Sequence, residues 1–218
     1  MFNRGVEKRK IFLDERDYFR FVCGLEVFNN KRPVEIFSPQ RDWLTEFREK
    51  GPTRSLEREM LVDIHGWCLM ENHYHLLISE KADGGLKKFI TKLNVGYAKY
   101  FNEKYRRSGT LFESRTKKVH IGHDAHFLHI LHYIHFNPLD YRRDTARWRE
   151  RALRSVRAAR TCLEDYRWSS YRAYCGSDEF SFIITKSLFN GIFKDYRKDA
   201  ASYLGQMRPE DFQHVPLE

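Results

Sequence analysis

Four side chains of this 218-residue chain could do chemistry together. His73 and His75 stand one residue apart in the apolar run HGWCLMENHYHLLIS, residues 65 to 79, and Tyr133 and Asn137 stand four apart in YIHFN. Residues two apart on a strand share a face, so both imidazoles project side by side and can bind one divalent ion. Residues four apart on a helix lie about a turn apart on one face, so Tyr133 and Asn137 point the same way. A phenol with a reference pKa of about 10 is a poor nucleophile at neutral pH. It needs a metal that polarises the electrophile and stabilises charge in the transition state. Two imidazoles and one amide oxygen form a half-open coordination sphere with room for phosphate oxygens. The competing reading of an isolated H-x-H is structural, with one histidine in a hydrogen-bond network and the other at the surface.

These positions require a strand pair and a helix. From Met60 the chain reads as strand, MLVDIHGWCLM, then a polar turn at Glu71 and Asn72, then HYHLLIS, an antiparallel hairpin. In its second strand His73, His75, Leu77 and Ser79 share one face, and Tyr74, Leu76 and Ile78 the other. Asp124 opens a helix that must stop near Asn137, because Pro138 has no N–H and disfavours helix in the residue before it. A helix is expected from about residue 15 to 28 behind an Asp14 N-cap. Residues 30 to 59 read as loop, with at most one short helix around Trp43 to Phe47. A long helix follows Gly84-Gly85, with Leu86, Phe89, Ile90, Leu93, Tyr97, Tyr100 and Phe101 as its apolar stripe. Tyr97, Tyr100 and Tyr105 therefore read as core. GTLFESRTKKVHIG, residues 109 to 122, reads as a further strand, and the C-terminal part as a turn-rich segment followed by one or two short helices. Tyr166, Tyr171 and Tyr174 around Trp168 could either pack or stack on bases.

The net charge of +9 favours a polyanionic partner, and nucleic acid suits it better than a membrane. No run approaches the roughly 18 apolar residues of a spanning helix, and MFNRGVEKRK lacks the apolar core of a signal peptide, so a cytosolic protein is expected. Cys23, Cys68, Cys162 and Cys175 form no C-x-x-C pair, which argues against a disulfide framework or a zinc ribbon. Between residues 142 and 160, eight arginines stand against Asp144 and Glu150, a net +6 out of the total +9. An amphipathic helix there would put Arg143, Arg147, Arg151 and Arg154 on one face and Trp148, Ala152, Val156 and Ala159 on another, with phosphate contacts as the expected use. His123, His126, His129, His132 and His135 step by three and drift around their helix. His126 and His129 share Tyr133's side, and for His129 a surface or packing role is favoured over general base or extra ligand.

WCLMENHYHLLIS resembles the HUH signature (histidine, bulky hydrophobe, histidine) of the IS200-type Y1 transposases. NRGVEKRKIFLDERDYFRF, YAKYFNEKYRRSGTLFESR, YIHFNPL and YRWSSYRAY resemble, in order, one branch of them, the REP-associated tyrosine transposases. The resemblance implies an α+β fold, a ferredoxin-like antiparallel sheet with helices on its faces, here with a basic helical insertion and a helical C-terminal tail. The expected division is a catalytic domain 1–141, the arginine-rich insertion 142–160, and a tail 161–218 that packs on the catalytic domain or contacts DNA. The implied activity is cleavage and joining of single-stranded DNA, on REP-like hairpins. Tyr133 matches the nucleophile that forms a 5′-phosphotyrosine and frees a 3′-OH, and His73 and His75 match the ligands of Mg²⁺ or Mn²⁺. Asn137 falls where the wider superfamily carries a polar third ligand, with capping of the helix end as its alternative role. Such a link preserves phosphodiester bond energy, in keeping with the absence of a P-loop motif from the sequence.

Single-stranded or hairpin DNA is the implied partner of a monomer or homodimer in the cytoplasm, associated with the nucleoid. Arg106, Arg107, Arg115, Lys117, Lys118, Arg143, Arg147, Arg151 and Arg154 are the expected DNA contacts. Family members usually carry a full strand before the NRG motif, whereas Met1 and Phe2 alone precede it here, so either the start is assigned late or the sheet lacks most of an edge strand. Two other classes compete: a metal-dependent hydrolase using water, and a DNA-binding protein that has lost its chemistry.

Overall fold

The structure is a computed structural model that describes residues 1–32, 58–122, 124–150, 153–189 and 191–206, with the backbone alone for 124–128. The short helix expected around Trp43 to Phe47 lies outside these residues, as do His123, Arg151 and Ala152, and the side chain of His126. Strands β1 (Phe2–Arg4), β2 (Val62–Met70) and β3 (His73–Glu80) form an antiparallel sheet in the order β1-β3-β2. The α-helices of the described residues are α1 (Glu15–Val27), α2 (Gly85–Lys104), α3 (Asp124–Phe136), α4 (Val156–Asp165), α5 (Tyr171–Tyr174) and α6 (Tyr196–Gln206). The chain order β1-α1-β2-β3-α2 is that of a ferredoxin-like α+β unit. Among the described residues no helix is long and apolar enough to cross a membrane, and the four cysteines are free.

Where that topology calls for a fourth strand, residues 109–122 supply only two isolated antiparallel bridges, Phe2↔Lys117 and Gly5↔Phe112. The expected strand there is therefore corrected to an irregular edge. ESRTKK offers no apolar alternation to bury. Between the bridges the Asn3 amide reaches across instead, donating to Ser114 O and Thr116 Oγ1. β1 is short as expected, yet it is bonded on both sides and is not a bare edge.

β2 reads as continuously apolar because both faces of the sheet are covered. On one face Trp67, Leu69, Tyr74 and Leu76 pack with Phe21 and Val22 of α1 and Leu93 and Tyr97 of α2. On the other, Cys68, Met70 and Leu77 pack with Leu131, Tyr133 and Ile134 of α3. Asp14 caps α1 as expected, in a reciprocal box with Asp17. Lys104 at the end of α2 bonds both carboxylates at 2.7–2.8 Å, which ties the two helices together.

The continuous helix expected over the arginine-rich block does not form among the described residues. Residues 143–147 are turns, Trp148–Glu150 is a single 3₁₀ turn, and α4 begins only after Ser155, whose hydroxyl accepts from Ala158 N. Trp148 decides this. It is fully buried against Tyr133 and Phe136 and donates Nε1 to Asp140 at 2.8 Å. Burying a large aromatic side chain is worth roughly 2–3 kcal/mol, against tenths of a kcal/mol per residue for extending an exposed helix.

The described histidine side chains of α3, His129, His132 and His135, meet the C-terminal part of the chain. His129 meets the Tyr203 hydroxyl, His132 the Tyr196 hydroxyl, and His135 both Tyr196 Oη (2.6 Å) and Ser170 Oγ (2.7 Å). His129 thereby packs against α6. Burial, with the charge of His129, pushes His132 down to about 3. Burial, with His132, holds His135 well below the usual imidazole range. Both are neutral in the folded chain, and unfolding below their ordinary pKa takes up protons. Their stabilisation is complete above about pH 6.5 and is lost as pH falls toward 3. Urea unfolding at pH 4 and pH 7 should show His132 alone contributing about 3 kcal/mol of that loss. The loss should shrink in His132→Gln, which keeps an acceptor for Tyr196, and an equal loss in both proteins would refute this.

Candidate active site

The alternation of β3 sends Tyr74 and Leu76 to the α1–α2 face and His73, His75 and Leu77 to the α3 face. Tyr133 comes down from the last turn of α3 onto the same place. The two imidazole rings are 4.9 Å apart at 88°, and His75 meets the Tyr133 ring edge to face at 5.8 Å. Phe2, opposite His75 across β1, packs on both imidazoles at 5.0–5.3 Å. All three reactive side chains are enclosed, His73 and His75 being 5% exposed and Tyr133 1%. With Tyr133 only 1% exposed, a substrate reaches its hydroxyl only where covering side chains give way.

Hydrogen bonding fixes the tautomer of His73. Asn72 Nδ2 donates to Lys8 O at 3.2 Å, so Asn72 Oδ1 is the atom 2.7 Å from His73 Nδ1, and Nδ1 must carry the hydrogen. Nε2 of His73 is left with the lone pair, the arrangement that outer partners impose on metal-binding histidines. Lys8 presents its carbonyl from a left-handed backbone conformation, φ 58°, beside Glu7 at 57°. Two successive non-glycine residues in that region store strain next to the site.

His75 Nε2 is buried and meets no hydrogen-bond partner among the described residues. Such an orphan is costly unless something else binds it. Burial, together with the neighbouring His73, the N-terminal amino group, Arg149 and Arg4, holds His75 well below the usual imidazole range, so its imidazole is neutral at pH 7. The donor set thus suits a divalent metal. No group of three His, Cys, Asp or Glu side chains is assembled among the described residues.

Asn137 is fully buried and closes the end of α3, its Nδ2 donating to Tyr133 O (2.8 Å) and Ile134 O (3.3 Å). Its Oδ1 accepts from Arg149 Nη2 at 3.1 Å, which leaves one lone pair of the amide oxygen. Arg149 is the residue the sequence did not single out. Its Nη1 bonds both oxygens of Asp140 at 2.6–2.7 Å, and its guanidinium faces the Tyr133 ring at 5.4 Å. A helix through the block would have put it off the proposed arginine face. The turn forced by Trp148 carries it into the site instead.

The expected DNA contacts are distributed unevenly. Lys117 is exposed, with Nζ 5.8 Å from the Phe2 ring that covers the histidines, and Arg115 and Lys118 flank it in the exposed edge segment. Arg107 closes the turn after α2 through Asn102 and Thr110 O, and Arg106 is exposed beside it. Arg143 and Arg154 are exposed, and Arg147 pairs with Glu150 at the surface. A cleft of about 320 Å³ opens beside His73, lined by Lys8, Lys10, Asn72, Asp140 and Tyr141. A larger cavity of about 470 Å³ between Tyr174, Phe189 and Arg197 shares no lining residue with it.

Residues outside the site have structural roles. His65 Nδ1 lies 2.9 Å from Thr185 O and its Nε2 2.8 Å from Ser79 Oγ, at a bulge that breaks the register of β2. Tyr97 donates to Ile11 O, Tyr100 and Tyr105 to Asp17, Tyr166 to Leu69 O and Tyr174 to His65 O. Tyr171 is buried.

No curated protein and no solved structure matches the chain. Residues 39–137, which carry the histidine pair and the helix of Tyr133 and end on Asn137, match the family model described as "Transposase IS200 like", and this match supports placing the chain with the IS200-like transposases.

Proposed function

We propose that the protein is a metal-dependent single-strand DNA transferase in which Tyr133 is the nucleophile, acting on hairpin DNA of the REP type. The observation that carries this reading is the meeting of His75 and Tyr133, brought from β3 and α3 to one enclosed point, with a buried His75 nitrogen that meets no hydrogen-bond partner among the described residues. Tyr133 Oη bonds to phosphorus as the bond to the 3′ oxygen breaks, and the phenol's proton ends on that leaving oxygen. The product is a 5′-phosphotyrosine and a free 3′-OH, and the reverse step rejoins strands without ATP. His73 Nε2, His75 Nε2 and the remaining lone pair of Asn137 Oδ1 would hold Mg²⁺ or Mn²⁺, which supplies electrophilic activation of the phosphate when bound. Arg115, Lys117 and Lys118 are read as phosphate contacts at the site's edge, and Arg143, Arg147, Arg151 and Arg154 as contacts further along the strand. The division into a catalytic unit 1–141, an insertion and a tail belongs to the same reading. So does a tail that packs on α3 through Tyr196 and Tyr203.

The test is to incubate the protein with a labelled single-stranded hairpin and Mn²⁺ and look for a protein–DNA adduct that survives SDS. Cleavage without an adduct would point to a hydrolase, and hairpin binding without cleavage under any divalent ion to a DNA-binding protein. Asn72 offers a second check. Asn72→Ala should weaken Mn²⁺ binding about 10–100-fold by calorimetry, and ¹⁵N spectra of the metal-free protein should show His73 losing its Nδ1–H tautomer. An unchanged tautomer would show that Asn72 does not orient His73.

A further inference from the structure

Arg149 occupies a position that its own block does not explain. The block's other described arginines lie at the surface or pair with acids there, as Arg142 does with Asp144 and Arg147 with Glu150. Arg149 lies between Asp140, Asn137 and Tyr133, its side chain a quarter exposed. A guanidinium has five N–H donors; the hydrogen bonds to Asp140 and Asn137 take three of them, and a further one is shared with the Tyr133 side chain. Burial opposes its charge, but Asp140 and Tyr133 outweigh that and hold it firmly protonated. The same charge is felt at His75. Trp148 sets the position: its indole is stacked under the guanidinium at 4.3 Å and its Nε1 bonds the same Asp140. A cation fixed in this way beside a nucleophile is placed where negative charge develops during phosphoryl transfer, and its planar fork suits a phosphate.

We propose that Arg149 is a catalytic residue of this site, and that its remaining donors bind a non-bridging oxygen of the phosphate attacked by Tyr133 while Asp140 holds the guanidinium in place. This inference rests on Tyr133 being the nucleophile. It gives the arginine-rich insertion a use beyond holding DNA by charge: its 3₁₀ turn, Trp148–Glu150, completes the active site.

The test uses the full chain, a labelled single-stranded hairpin and Mn²⁺, with single-turnover adduct formation, hairpin affinity and thermal midpoint measured for wild type, Arg149→Ala and Arg149→Lys. Arg149→Ala should slow adduct formation about 10²–10³-fold in protein that stays folded, with hairpin affinity within about threefold and a thermal midpoint lowered by loss of the Asp140 and Asn137 bonds. Arg149→Lys should restore part of the rate. A merely structural role would not affect the stereochemical readout. With the mapped scissile link replaced by each phosphorothioate diastereomer, one isomer should slow the wild type more than the other, and Arg149→Ala should erase that difference. An Arg149→Ala rate within threefold of wild type, or a stereochemical difference that survives the substitution, would overturn the inference while leaving Tyr133's role standing. A wild-type chain that cuts without ever forming an adduct would overturn both.

Discussion

Tyr133→Phe is expected to abolish the SDS-resistant adduct and to lower strand cleavage by at least about 10⁴-fold, while leaving the fold intact. The ring is 1% exposed and packs on His75 and Trp148, contacts that phenylalanine retains. The thermal midpoint of the variant should therefore stay close to wild type, and hairpin affinity should persist because phosphate contacts, not the phenol, supply it. The control separates chemistry from structure. Cleavage that continues in Tyr133→Phe would reassign the reaction to water and leave the histidine pair as the core of a hydrolase. A variant that fails to fold would show the tyrosine to be a packing residue, as Tyr97 is in the opposite core.

The second large effect concerns His75. Its Nε2 is buried without a hydrogen-bond partner among the described residues, a condition that costs about 1–3 kcal/mol in the metal-free protein. His75→Leu replaces the imidazole with an apolar side chain that suits neighbours such as Phe2, Cys68 and Tyr133. The metal-free variant should be as stable as wild type or more stable by about 1 kcal/mol. Its affinity for Mn²⁺ should fall by at least about 100-fold, since even outer partners of a ligand are worth 10–100-fold. Chemical denaturation with and without Mn²⁺ reads both quantities, because a ligand that binds only the folded state raises its stability. If His75→Leu lost several kcal/mol without metal, and wild type gained nothing from Mn²⁺, His75 would be a packing histidine, the reading that H-x-H invites in isolation.

Much of this was legible in the sequence because the signals are local. Asp14 with its acidic first turn marks the start of α1, the Glu71-Asn72 turn marks the hairpin, and Pro138 marks the end of α3. Period-two alternation alone assigned His73 and His75 to a common face, and four-residue spacing aligned Tyr133 with Asn137. Residue type and spacing thus determined what the site could contain. The tertiary structure decided what meets what. The α3 face of the sheet brings Tyr133 onto His75, and the orphaned nitrogen exists only because both are buried there. Residues 109–122 fail as a strand because a side chain of β1, Asn3, takes up the bonding that a ladder would have used. The arginine-rich block has a helical pattern on paper, yet burial of Trp148 against Tyr133 outweighs it. Arg149 enters the site and Arg147 stays in solvent for that one reason, a long-range packing energy that no window of local sequence contains.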